Sequence, residues 1–459
     1  MSGSIAFCDD NGTGIPNLLR RNILQARQAD KPEQEPAMPA ATRLSFYLLE
    51  SPDIRERETV LARQSGELAG RLPPATRAAL ARCLEGINSY YSNLIEGQGT
   101  RPIEAERALQ RSLAERKPGK ADDLAALAVA HIRTERWMRQ RLKDEPALDV
   151  ASRDFICALH RHFVGQLPDS LRVVTGHDGE TAVNVPGALR TRHVDVGAHR
   201  APAPEDVPDL LAAFAEGWRH LPKTPAHLLL AHHRFAWIHP FLDGNGRVAR
   251  LLSTAMLARY GFEADGLWSL SRGLAKRRDR YYEHLALADS ERQGDFDGRG
   301  ALSLKGATQF ANFMLDTCED QIAFMAARLQ IEHVKDRVAR FCAERKLVLG
   351  RDERAAPLLI EAMFMGRLER GAARRRACSA SASAPRAPWC RNASRMACSP
   401  RPVIAAISRR CFRSTPPRIC SRTCSRSTIR RRRCGKRCSS HNPATSPARA
   451  RSPGTSPHA

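Results

Sequence analysis

The chain has 459 residues, 27% of them charged and 42% hydrophobic, which allows two or three domains and one large core. Its formal charge of +24 suggests a nucleic-acid binder until it is divided: residues 371–459 hold 21 Arg and Lys and no acid, while the other 370 carry 52 basic against 49 acidic side chains. The charge belongs to the tail, and the body has an ordinary balance.

No apolar run approaches the ~20 residues of a membrane span, and the N-terminus lacks a charged-then-apolar leader. Five body cysteines (Cys8, Cys83, Cys157, Cys318, Cys342) are scattered singly, as small core residues are in a reducing compartment. A cytoplasmic protein without a membrane partner is expected.

Residues 1–41 mix Gly, Pro, Asn and charge without periodicity and are expected to be disordered, with Met38 as an alternative start. After Pro73-Pro74, the spacing of Leu80, Leu84, Ile87, Tyr91 and Leu94 predicts a helix over 72–97, stopped at Gly97. Glu96 then lies in the last turn, where the helix dipole disfavours an acid by ~0.3–1 kcal/mol, so a cationic partner is expected. Helices follow over 101–116, 121–145 and 150–166, with Trp137 and Phe155 as core anchors. Val173-Val174, the turn His177-Asp178-Gly179 and the stretch Leu189–Gly197 alternate like short strands, and an exposed hairpin edge can pair with an extended peptide. Two more helices, over 204–220 and 224–238, lead to the stretch that organises the chain.

That stretch is His239-Pro240-Phe241-Leu242-Asp243-Gly244-Asn245-Gly246-Arg247-Val248-Ala249-Arg250. Pro240 breaks the preceding helix, and the Gly-Asn-Gly turn delivers free backbone N–H groups to the start of the next one, where an anion is favoured. Arg247 and Arg250, at i and i+3, can both lean toward that anion. Asp243 offers a hard oxygen ligand suited to Mg²⁺, which normally comes with nucleotide phosphates. His239 is the one group here that takes a proton near neutral pH. No Gly-Lys-Ser/Thr follows the glycines, so this is not the common phosphate loop.

At every fixed position the segment resembles the HPFx(D/E)GNGRxxR signature of Fic-domain proteins. The resemblance, covering about residues 42–370, implies a mainly α-helical fold with a small β-hairpin flap. It implies ATP as co-substrate with Mg²⁺ on Asp243, His239 as general base, and a nucleotide cradle formed by Asp243, Gly244, Asn245, Gly246, Arg247, Val248, Ala249 and Arg250. It implies transfer of AMP to a Ser, Thr or Tyr hydroxyl of a protein substrate bound at the flap. Val194, Asp195, Val196 and Gly197 match the flap position that also touches nucleotide. Ser92 through Gly97 resemble the family's (S/T)xxxE(G/N) inhibitory motif, in which Glu96 would pair with Arg250. Tyr281 and Tyr282, on a helix expected over 276–289, fall where the family places a tyrosine pair near adenine. Seven residues after Tyr282, where relatives often carry a nucleotide-contacting asparagine, this chain has Asp289.

Residues 303–349 read as long helices with Phe310, Phe313, Met314, Ile322, Phe324 and Met325 mostly in the core, and 355–365 starts another, which in relatives opens a winged-helix-like module. The tail from 371 has no Leu and one Val, too little apolar surface to offset its ordering entropy. Cys420, Cys424, Cys434 and Cys438 lack the usual zinc spacing, and Arg430–Arg433 lacks aromatic neighbours. Its composition is that of a GC-rich gene read out of frame. The expected organisation is thus a disordered segment 1–41, a helical region 42–120 with the inhibitory helix, a core 121–300, C-terminal helices 301–370, and the disordered tail 371–459. Three activities stay open on this basis: AMP transfer restrained by Glu96, AMP removal with Glu96 aligning a water, and a non-enzymatic DNA-binding or antitoxin-like regulator. A homodimer is compatible with each.

Overall fold

The computed structural model describes residues 43–99, 104–105, 108–109, 120–176, 179–197, 199–344, 359–361 and 363–364. The expectations for 1–41, for most of the 101–116 helix, for His177-Asp178, for most of 355–365 and for the tail with its Cys and Arg clusters lie outside these residues. The described chain is mainly α-helical, as expected, with two small antiparallel hairpins.

Helix α1 (Pro52–Gly70), which the apolar spacing did not single out, starts at Ser51, whose hydroxyl accepts from the Ile54 N–H. Helix α2 (Pro74–Ile95) starts on its proline and ends in a Schellman turn. Gly97, at φ +77°, donates its N–H to the Leu94 carbonyl, and the Gln98 N–H reaches the Asn93 carbonyl. The expected apolar stripe is shifted at its end: Leu94 is 36% exposed and Ile95 is buried instead. Beyond Leu80, Leu84 and Ile87 the buried face turns polar, with Asn88, Ser89, Ser92 and Asn93 directed inward. Helix α3 (Lys120–Asp144) receives it through the Ala128 carbonyl, which accepts from Ser89 Oγ, and through Glu135, which accepts from Asn88 Nδ2.

Helix α4 (Arg153–Val164) is capped by Ser152 and buries Phe155, Leu159, His160 and Phe163 on one side. Strands β1 (Val173–Thr175) and β2 (Thr181–Val183) pair with Val173 opposite Val183. Strands β3 (Asp195–Val196) and β4 (His199–Arg200) form the second hairpin, with Asp195 opposite Arg200. The alternation over Leu189–Val194 does not produce a strand.

Helices α5 (Val207–His220), α6 (Pro225–Ile238) and α7 (Asn245–Arg259) follow. Helix α6 is buried almost all round, packed against α7 on one side and against α10 (Leu304–Arg328) on another. Its polar residues are each answered inside the core: His232 meets Ser253 and the Tyr281 hydroxyl, His233 meets Asp289, and Arg234 donates to the Ser45 carbonyl. The helix expected over 276–289 is α9 (Arg278–Ala288), and a short helix not foreseen, α8 (Leu270–Lys276), precedes it with a break at Arg277. Helix α11 (Ile331–Glu344) ends the continuous part. Phe324 is only partly buried, and Arg272 and Arg328 lie over its ring at 3.4 and 3.7 Å.

Helices α9 and α10 approach at Gly306, where an added Cβ would stand 2.2 Å from the Leu287 carbonyl oxygen. Gly306→Ala should therefore destabilise the protein by roughly 1–3 kcal/mol through overpacking. Urea unfolding checks this, and an unchanged midpoint would show that the two helices part freely.

Candidate active site

Helix α6 stops because Pro240 cannot continue it, and His239 takes the left-handed conformation, φ 48° and ψ 60°. The turn is held from outside. The Arg190 backbone N–H donates to the Pro240 carbonyl at 2.9 Å, and its Nε donates to the His239 carbonyl at 2.7 Å. His239 Nδ1 lies 3.4 Å from the Ala236 carbonyl, which puts the ring proton there and leaves Nε2 as an acceptor. Burial first, and the neighbouring His199 second, push the imidazole down to about 4, so the ring is neutral at pH 7.

The loop after it is closed by a clasp. Asn245 Oδ1 accepts the Phe241 N–H at 2.9 Å, and Asn245 Nδ2 donates to the Phe241 carbonyl at 2.7 Å. The Asp243 carbonyl accepts from His160 Nε2 at 3.1 Å and from Asn184 Nδ2 at 3.3 Å. His160 Nδ1 accepts the Gly187 N–H, and its ring stacks on Phe241 at 3.8 Å. Gly244, at φ +88°, then starts α7. The first-turn N–H groups at Asn245, Gly246 and Arg247 have no carbonyl one turn earlier in the helix, as in any helix N-terminus.

A carboxylate stands over this N-terminus. An added Cβ at Gly246 would lie 2.3 Å from Glu96 Oε1. The same oxygen accepts from Arg250 Nη2 at 2.6 Å. Arg250, 1% exposed, also donates to Ser92: Nε to the hydroxyl and Nη2 to the carbonyl, both at 2.9 Å. The pair is thus single-pronged on the carboxylate, with Ser92 completing the fork. Burial alone would raise the Glu96 carboxyl, but Arg250, Arg247 and the Arg250 hydrogen bond outweigh it and hold the group below its ordinary value.

Arg247 is committed as well: it donates to Gln98 Oε1 at 3.0 Å, faces Asp243 Oδ2 at 3.3 Å, and lies over the Phe163 ring. The Asp243 carboxylate is 46% exposed. One half-exposed carboxylate beside an anion cradle fits Mg²⁺, which is held by one or two carboxylates plus substrate phosphates. Groups of three metal-ligating side chains do not occur among the described residues.

Several expected positions take other roles. Val248 and Ala249 are fully buried, the Val248 N–H bonds the Gly244 carbonyl, and the Val248 side chain packs in the core. Ala249 likewise has no exposed side chain to offer. Tyr281 is 2% exposed with its hydroxyl on His232, leaving no open face for a base to stack on; Tyr282, 41% exposed, donates to the Ile95 carbonyl at the end of α2. Asp289 is taken by His233 Nε2 at 2.8 Å and His199 Nδ1 at 3.1 Å. Burial would raise its carboxyl, yet the two histidines hold it well below the ordinary range. In the flap, Val194 accepts from the Ala201 N–H, Asp195 and Val196 are exposed, and Gly197 makes the turn at φ +61°. The residues the sequence did not single out are Arg190, His160, Asn184, Gln98 and His199. The signal for His160 was its place on the apolar face of α4.

Residues 150–257 match the family model described as Fic/DOC family. A "Protein adenylyltransferase Fic" of Nematostella vectensis is 30% identical over 264 residues, 55% of this chain and 53% of that protein. One of the same name from Drosophila willistoni is 34% identical over 108 residues, 22% of this chain and 20% of that protein. The chain thus spans about half the length of the first relative and a fifth of the second. A solved Fic family protein from Desulfovibrio desulfuricans G20 aligns with a TM-score of 0.46 at 20% identity, covering 74% of this chain and 95% of that one.

The Asn245 clasp sets a stability expectation. Asn245→Ala removes both partners of the buried Phe241 backbone groups and should cost roughly 2–4 kcal/mol, at about 1–3 per unsatisfied group and allowing for overlap. Asn245→Asp keeps the acceptor and should fall between. Chemical unfolding of the three proteins checks the order.

Proposed function

We propose that this chain, which carries a Fic domain, transfers AMP from ATP to a hydroxyl side chain of a target protein, and that Glu96 restrains it. The observation that carries the reading is a neutral His239, with Nε2 free, at the mouth of a loop that offers helix-start N–H groups and two arginines. In this reading His239 Nε2 takes the proton of a Ser, Thr or Tyr hydroxyl. The hydroxyl oxygen bonds to the α-phosphorus as the bond from that phosphorus to the bridging oxygen breaks, and pyrophosphate carries away the electron pair. The N–H groups at Asn245, Gly246 and Arg247 meet charge developing on the α-phosphate, and Arg250 and Arg247 hold the outer phosphates. Asp243 is the residue that would hold Mg²⁺, which when bound neutralises phosphate charge. The Val194–Gly197 edge orients the target segment.

The restraint follows from the site's own charges. Glu96 occupies the Arg250 donor and the space above Gly246 that a phosphate oxygen would take. A charge-assisted hydrogen bond of about 1.5–3 kcal/mol corresponds to a ten- to hundredfold shift in the population able to hold ATP productively.

Two outcomes are expected with α-labelled ATP and a lysate. Glu96→Gly should raise label transfer at least about tenfold; unchanged, low transfer would remove Glu96 from the restraint, and loss of an AMP-removing activity present in the parent would make Glu96 catalytic instead. In the Glu96→Gly background, His239→Ala should abolish transfer while ATP binding persists, and equal transfer by both proteins would exclude His239 as base.

The pH dependence has a definite sign. The base works when neutral, and its folded value of about 4 lies below the ordinary histidine value, so transfer should hold steady from pH 8 down to about 5 and fall only below. A pH–rate profile of Glu96→Gly that breaks near the ordinary histidine pKa of about 6.5 would contradict this.

A further inference from the structure

We propose that Arg190 is the positioning residue of this site, fixing the direction of the His239 ring and tying it to the flap. The inference rests on His239 being the base. His239 is one of three non-glycine residues with positive φ among those described, the others being Ala264 and Asp265. Such a conformation costs about 1–3 kcal/mol and persists only where the surroundings over-determine it. Helix α6 and Pro240 explain why the chain must turn there. They do not explain why it turns to the left.

Arg190 supplies the missing constraint. Its backbone N–H and its guanidinium reach three consecutive carbonyls: Nη2 to Ile238 at 3.4 Å, Nε to His239 at 2.7 Å, and the backbone N–H to Pro240 at 2.9 Å. These are the carbonyls a helix end leaves unpaired, and a buried cation suits the negative end of α6. The same guanidinium reaches across to the flap, with Nη1 to the Arg192 carbonyl at 3.1 Å and Nη2 to the Pro202 carbonyl. Arg192 precedes β3 and Pro202 follows β4, so one planar fork clasps both ends of the hairpin and the turn that carries the base. Lysine presents its donors at a single point and cannot span four carbonyls in this way.

The charge has a second effect. The groups facing His239 are His199 from β4, Arg190 from the loop before β3, Asp243 from the cradle and Glu96 from α2. His199 and Arg190 favour the neutral ring, and Asp243 opposes them. Arg190 therefore holds the base in place and helps keep it unprotonated.

The two effects separate by substitution in the Glu96→Gly protein. Arg190→Lys keeps a cation and loses the fork: kcat should fall roughly ten- to hundredfold, KM for ATP should stay within about twofold, and the acid limb of the pH profile should not move. Arg190→Met loses both: kcat should fall at least as far, and the acid limb should move to higher pH as the His239 pKa rises toward its ordinary value. Parental kcat in Arg190→Lys overturns the inference, as does a loss of ATP binding equal to the loss of transfer, which would mean general disruption. His239→Ala in the same background is the control: if it still transfers, the base assignment fails, whereas a dead His239→Ala beside fully active Arg190 variants sinks the Arg190 role alone. Should neither variant fold, by near-ultraviolet circular dichroism, hydrogen exchange of the Arg190 Nε–H in the unsubstituted protein decides. Exchange slowed about a hundredfold against free arginine supports the clasp, and free exchange overturns it.

Discussion

A guanidinium that is 1% exposed cannot be left unanswered, and the arrangement around Arg250 follows from that constraint. Arg250 is on the first helical turns of α7, so its position is set by the α6–α7 turn and cannot relax toward solvent. Ser92 meets two of its donors with a hydroxyl and a carbonyl, which satisfies hydrogen bonding without neutralising charge. Only Glu96 brings a negative charge into direct contact. This explains the polar inner face of α2, which would be out of place on a helix that merely covered a core. It also explains why a helix C-terminus carries an acid: the cost at its own dipole is small, about 0.3–1 kcal/mol, beside a contact with a buried cation and the positive start of a second helix.

The same economy of charge governs the histidines. His160, His232, His233 and His239 are all pushed below the ordinary histidine value, to about 4, 3, 4 and 4, with burial as the leading cause. A neutral imidazole offers one donor and one acceptor, and each of the first three has both ring nitrogens placed near partners. They act as rigid connectors. His239 differs, because its Nδ1 makes a long contact with the Ala236 carbonyl and, among the described residues, no group claims the Nε2 lone pair. His199 moves the other way: burial would lower it, but the Asp289 carboxylate raises it, so the flap carries the one histidine of this group held toward its charged form.

What could be read from the sequence was whatever depends on order along the chain. The helix ends at Gly97 and Pro240, the extents of α5 and α6, the glycine turn at Gly244–Gly246 and the acid at Glu96 are local facts, set by periodicity, ring closure and backbone freedom. The shift of the α2 stripe from Leu94 to Ile95 is a quarter-turn error, small along the helix but decisive for which side chain is inside. Roles that depend on distant packing could not be read. Arg190 looked like one more charged residue in a strand-like stretch because its partners lie about 50 residues away at Ile238–Pro240. Val248 and Ala249 sit inside the signature, yet a helix with one face to the ligand must turn the other to the core. Tyr281 and Tyr282 are adjacent in sequence and therefore about 100° apart around α9, so they could not share one environment.

Two arginines lie at the start of α7, and magnitudes separate how firmly each is held. Arg247 faces Asp243 at 3.3 Å, but that carboxylate is 46% exposed, and an ion pair open to water on one side contributes about 0–1 kcal/mol. Its other tie, to the neutral Gln98, is a hydrogen bond from a charged donor, worth about 1.5–3 kcal/mol. Arg250 is different, because its carboxylate partner is only 30% exposed and its guanidinium has no access to water as an alternative. Removing that anion without replacing it would leave a buried, uncompensated cation, which is far more costly than opening a surface pair. The Arg250 guanidinium is therefore better paired with an anion than left without one, and Glu96 is the anion that meets it.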